Sequence, residues 1–156
     1  MQNYIKSQTR LAFVQYIFQN EFLSTDSLDS IKDFQKHFYD TNIAIIDEKK
    51  ENKLKFNKNF LNRLFSSFKN NIDKKNITDD LNGFIDINRK FEKWDNVLKS
   101  IIFAIIAELL ITEKNKFKIV FNDYLNISKS LVSQRETKLI NAIIQKYIDK
   151  DEINKK

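Results

Sequence analysis

The stretch Leu98-Lys99-Ser100-Ile101-Ile102-Phe103-Ala104-Ile105-Ile106-Ala107-Glu108-Leu109-Leu110-Ile111 decides the fold. Its apolar side chains at 98, 101, 102, 105, 106 and 109 recur at the three- and four-residue steps of an α-helix, and the positions between them leave little polar face. A helix apolar nearly all round belongs at the centre of a bundle. It is too short to cross a bilayer and it contains Glu108, which marks it as a core element and not a membrane span. Asp95, directly after Trp94, is placed to cap it.

Toward the carboxyl end the pattern predicts a helix from about Lys118 to Leu131. Next comes Ser133-Gln134-Arg135-Glu136, a capping-box sequence in which serine and glutamate reciprocally satisfy free backbone donors. It opens a last helix bearing Leu139, Ile140, Ile143, Ile144 and Tyr147. Toward the amino end, Leu11, Val14, Phe18 and Phe22 predict a core helix over Ser7 to Leu23. Asp26 or Ser27 can cap a second helix carrying Leu28, Ile31, Phe34 and Phe38, followed by a polar connection from Thr41 to Lys53. A third helix, Asn57 to Ile72, places Phe60, Leu64, Phe68 and Ile72 on one stripe with its lysines in water. Thr78 is positioned to start a fourth through Leu81, Phe84 and Ile85, with Asp79 and Asp80 at the positive end of its dipole and Gly83 inside it.

About seven helices thus pack around Ile101 to Leu110, an all-α fold. Composition agrees: proline is absent, Gly83 is the only glycine, and 42% of residues are hydrophobic, which suits helices joined by polar connections better than sheets needing glycine-rich turns. At 156 residues one domain suffices, read as residues 1–150 with a polar tail at 151–156. No internal repeat is visible.

Several function classes are excluded or left without support. Cysteine is absent, which removes disulfides, thiolate metal sites and a cysteine nucleophile, and is compatible with the cytoplasm. The amino end has no signal-peptide pattern, since Lys6 and Arg10 are followed by Gln15, Gln19 and Asn20. His37, the only histidine, has Asp40 on its helix face but no nucleophile or metal to act on, and reads as a surface histidine. The adjacent pairs Asp47-Glu48 and Asp79-Asp80 diverge on a helix, which suits capping and solvation. No glycine-rich phosphate loop, zinc spacing or nucleophile elbow occurs, so neither catalysis nor a cofactor is expected.

The net charge of +6 and pI near 9.3 point instead to a polyanionic partner. Part of that excess is compositional: 23 lysines, 18 asparagines and only four arginines are what adenine- and thymine-rich codons produce. The run from Lys49 to Lys75, with nine lysine or arginine residues against Glu51 and Asp73, reads as a solvated face.

Four segments, Ala107-Glu108-Leu109, Phe117-Lys118-Ile119-Val120-Phe121-Asn122-Asp123, Lys129, and Lys138-Leu139-Ile140-Asn141-Ala142-Ile143-Ile144, stand in a register that resembles the carboxyl half of the NusB family of bacterial antitermination factors. Arg10, Ala12, Val14-Gln15, Ile17 and Phe18 are similar to its first helix. The sequence departs from the family at Lys116 (usually proline), Ala142 (usually glycine) and Phe103 (usually arginine). With no arginine at 103, Glu108 is expected to bond elsewhere.

The resemblance implies an all-helical fold of two small subbundles and a face, built from the first helix and the start of the last, that meets single-stranded RNA. Its implied partners are boxA-type leader RNA, the ribosomal protein NusE and the transcription elongation complex, with no membrane. The residue types fit that task, because an unpaired strand needs cations for phosphates and amide or planar groups for splayed bases. Candidate RNA contacts are Lys6, Gln8, Arg10, Gln15, Lys129, Arg135 and Lys138, and Phe91 with Trp94 is a candidate apolar patch for a protein partner. Two alternatives stay open: a helical scaffold without RNA affinity, and a stand-alone relative of the RNA-binding domain fused to ribosomal RNA methyltransferases.

Overall fold

The computed structural model describes residues 2–22, 56–85 and 90–154. These form six α-helices: α1 (Asn3–Phe22), α2 (Lys58–Asn71), α3 (Lys74–Phe84), α4 (Asn96–Leu109), α5 (Phe117–Ser128) and α6 (Gln134–Asn154), with 3-10 turns at Phe91–Lys93 and Lys114–Lys116 and no strand among the described residues. The helix expected around Leu28 to Phe38, the connection after it, His37 and the Asp47-Glu48 pair lie outside the described residues.

Helix α4 is the axis of the molecule. Every residue from Ser100 to Leu109 is buried, and α1, α2, α5 and α6 all pack on it. Asp95 caps it as expected, its side chain accepting from the Val97 amide at 2.9 Å. Isoleucines at 101, 102, 105 and 106 are fully enclosed, so truncating any one to alanine costs about 2–5 kcal/mol in lost burial and cavity formation.

Helix α1 begins four residues before the expected start, which puts Lys6 within it. Its middle is buried on more than one side, from Thr9 to Val14 and again at Tyr16 and Ile17, while Phe18 and Phe22 are half-buried. The reason is placement: α1 lies between α2, α4 and α5 and has no single inner face. Thr9 Oγ1 ties it to α2 by accepting from the Asn57 amide at 2.9 Å. Asn57 in turn caps α2, accepting from the Phe60 amide.

Helix α3 starts earlier than Thr78. Asp73 is its cap, accepting from the Asn76 amide at 3.1 Å, and the extra turn brings Ile77 into the core beside Leu81. The Asp79-Asp80 pair therefore lies inside the helix, where Asp80 accepts from Lys150 of α6 at 2.8 Å. The capping box forms as the spacing predicts: Ser133 Oγ accepts from the Glu136 amide at 3.1 Å and Glu136 Oε1 accepts from the Ser133 amide at 3.2 Å. Helix α6 runs through to Asn154, into the stretch read as a polar tail.

Candidate nucleic-acid interface

Where α1 crosses α4 and α5, the guanidinium of Arg10 is enclosed. Its Nε donates to both carboxylate oxygens of Glu108 (2.9 and 3.1 Å), one terminal nitrogen donates to Glu108 Oε2 at 2.7 Å, and the other to Asp123 Oδ2 at 2.6 Å. Tyr124 donates its hydroxyl to Glu108 Oε1 at 2.9 Å, and Ser7 donates to Asp123 Oδ1 at 2.7 Å. Burial alone works against the charged guanidinium. The hydrogen bonds and charge of Glu108, joined by Asp123, outweigh it and raise the Arg10 pKa above its ordinary value. Burial, then the charge of Glu108, pushes the Tyr124 phenol well up as well.

This geometry corrects the candidate set. Arg10 is 7% exposed and its donors are directed at two carboxylates, so it positions α1 and is not free for phosphate. The expectation that Glu108 bonds outside its own helix is met by this arginine. Phe91 and Trp94 are likewise not a docking patch: both are buried, stacked edge-on at 5.4 Å, with Phe91 also edge-on to Phe103 at 5.7 Å. Large rings beside the start of a central helix gain most by joining its core.

Of the remaining candidates, Lys6, Lys129 and Lys138 border α5. Ile119, Asn122, Asn126 and Lys129 follow at steps of three and four and are all exposed, forming one stripe along that helix. Ile119, 68% exposed, borders a cleft of about 530 Å³ lined also by Lys6, Phe60, Arg63, Ile111 and Lys116, with Arg10 and Glu108 also among its lining residues. Asn122, Asn126 and Lys129 border a second depression of about 380 Å³ that includes Lys138 and Asn141 of α6. The structure therefore brings Lys129 and Lys138 together, sets Lys6 at the other depression, and joins the two through the α5 stripe.

Arg135 is exposed in the first turn of α6. Gln15 is half-buried, as is Gln8, which donates to the Tyr4 hydroxyl at 2.8 Å. The asparagines at 122, 126 and 141 are not among the RNA contacts expected from sequence, although the i, i+4 spacing of Asn122 and Asn126 beside Lys129 was a signal for an amide-bearing face. Among the described residues Lys6, Lys129, Arg135 and Lys138 form no ion pair.

The described residues thus form an all-helical domain with an amide- and lysine-bearing helix stripe between two depressions. The profile of the NusB family matches residues 7–149, and the chain belongs to that family. Among curated relatives it is 26% identical over 141 residues to the transcription antitermination protein NusB of Rickettsia conorii, spanning 90% of this chain and 89% of that one. The same protein of Rickettsia massiliae matches at 26% identity, and that of Rickettsia felis at 25%, over the same shares. No solved structure matches the chain. Among the described residues no helix is long and apolar enough to cross a membrane.

Proposed function

We propose that the chain is a transcription antitermination factor of the cytoplasm that grips single-stranded leader RNA of the boxA type together with NusE, in the setting of the elongation complex, and performs no reaction of its own. The observation that carries this reading is the exposed α5 stripe connecting the Lys6 cleft to the Lys129 and Lys138 depression. Cations at its ends meet phosphates, and the amides of Asn122, Asn126 and Asn141 between and beside them suit base edges. Few anchors are available on one protein, so tight binding draws on NusE as a second surface.

A labelled boxA RNA titrated with the protein, alone and with NusE, at two salt concentrations tests the reading. Binding that tightens with NusE and weakens with salt supports it. One observation favours a second reading, a helical scaffold without RNA affinity: the burial of Arg10 leaves the amino-terminal lead with Lys6 as its cation. Absence of RNA binding in both titrations selects that reading.

A further inference from the structure

We propose that the cleft between α1, α2 and the α4–α5 connection holds one splayed-out nucleobase of the bound strand, stacked on the guanidinium of Arg63. This rests on the RNA-binding reading above and deepens it. Arg63 belongs to the lysine-rich run that sequence alone reads as solvated, yet its guanidinium lies 5.5 Å from the centre of the Phe60 ring, with no carboxylate partner among the described residues. The same ring lies 5.4 Å from the Arg10 guanidinium. A flat cation held on an aromatic ring presents a planar surface, which is the surface an unpaired base stacks on.

The walls agree. Ile111 is 44% and Ile119 68% exposed, two aliphatic side chains left in water beside that planar cation. Lys6, Arg63 and Lys116 line the cleft with Glu113, and the other carboxylate in its lining, Glu108, is taken up by Arg10 and the Tyr124 hydroxyl. Phosphates flanking a base thus find cations in the same cleft. An acidic peptide would use the lysines but not a stacking plane between apolar walls, so the combination favours a nucleotide. The path continues as well: a neighbouring groove shares Arg63 and Ile111 and is lined by Asn62, Ser66 and Asn70, hydroxyl and amide groups suited to the next nucleotide.

The test is an abasic scan. Labelled single-stranded leader RNA, intact or with one base removed at a time, is titrated with wild type, Arg63→Ala and Arg63→Lys, with circular dichroism confirming each fold. Loss of the stacking plane in Arg63→Ala is expected to weaken binding by about 10-fold. Arg63→Lys keeps the charge and the salt slope yet loses most of that affinity. One abasic position should lose the same factor on wild type and nothing further on Arg63→Ala. Wild-type affinity in Arg63→Lys, or no abasic position coupled to Arg63, overturns the base slot while leaving RNA binding intact. Failure of wild type to bind any RNA overturns the underlying reading and this inference with it. Loss of an acidic protein partner in Arg63→Ala, with RNA binding unchanged, assigns the cleft to a peptide and also overturns it.

Discussion

Arg10 and Glu108, 98 positions apart in sequence, meet in a buried bidentate pair, Nε to Oε1 at 2.9 Å and a terminal nitrogen to Oε2 at 2.7 Å. Asp123 takes the remaining side of the guanidinium and Tyr124 the remaining capacity of the glutamate, so α1, α4 and α5 are locked through one charged cluster. Removing either member leaves an enclosed charge without its partner. Arg10→Ala is therefore expected to destabilise the fold by about 3–5 kcal/mol, whereas Arg10→Ala with Glu108→Ala costs less than the sum of the two single changes. Denaturant unfolding of the four proteins of the cycle checks this, and additive losses would show that the pair is not coupled.

Alkaline pH should loosen the same region. The Tyr124 phenol is pushed up by burial and by Glu108, and Tyr16 is pushed up to about 12 by burial and by Glu21. A phenol whose folded pKa exceeds its unfolded value near 10 contributes stability that is fully present below about pH 10 and is lost as pH rises toward the folded pKa. Unfolding free energy should thus fall above about pH 10, by up to about 1.4 kcal/mol per pH unit from Tyr124. Tyr124→Phe should remove that share of the slope while itself costing about 1.5–3 kcal/mol at neutral pH for the lost hydroxyl bond to the Glu108 carboxylate. An identical alkaline slope in the variant would contradict the assignment.

Gly83 offers a gain. It is exposed within α3, and a methyl group added there meets nothing within 4 Å. Helical glycine costs about 0.5–1 kcal/mol relative to alanine, so Gly83→Ala should raise stability by about that amount with RNA affinity unchanged. Thermal unfolding measures it, and a lowered midpoint would mean that the helix end depends on glycine.

The parts of the fold legible in sequence were those set by local pattern. The all-round apolarity of Leu98 to Leu109 placed α4 at the centre, and Asn57, Asp95 and the Ser133–Glu136 box started their helices where the spacing said. Helix α3 shows where local rules tie: Asp73 and Thr78 are both acceptable caps, and burial of Ile77 with Leu81 selects the earlier one. The candidate site was legible only in part. A lone arginine near a chain end looks like a surface cation until residues 98 and 113 positions away close around it. The absence of an arginine at 103 was the one sequence signal that Glu108 needed a cation from elsewhere. Phe91 and Trp94 mislead in the same manner, because hydrophobicity alone does not separate a core ring from a docking ring.

The most direct test of the central claim, that the surface flanking α5 grips an unpaired strand through Lys6, Lys129, Arg135 and Lys138, is the salt dependence of RNA binding. Three or four phosphate contacts predict a slope of log affinity against log salt of about −2 to −3. Replacing Lys6, Lys129 and Lys138 together by alanine should reduce that slope by about 2 and weaken binding at low salt, with the fold intact because all three lie outside the core. An unchanged slope and affinity in the triple variant would contradict the account.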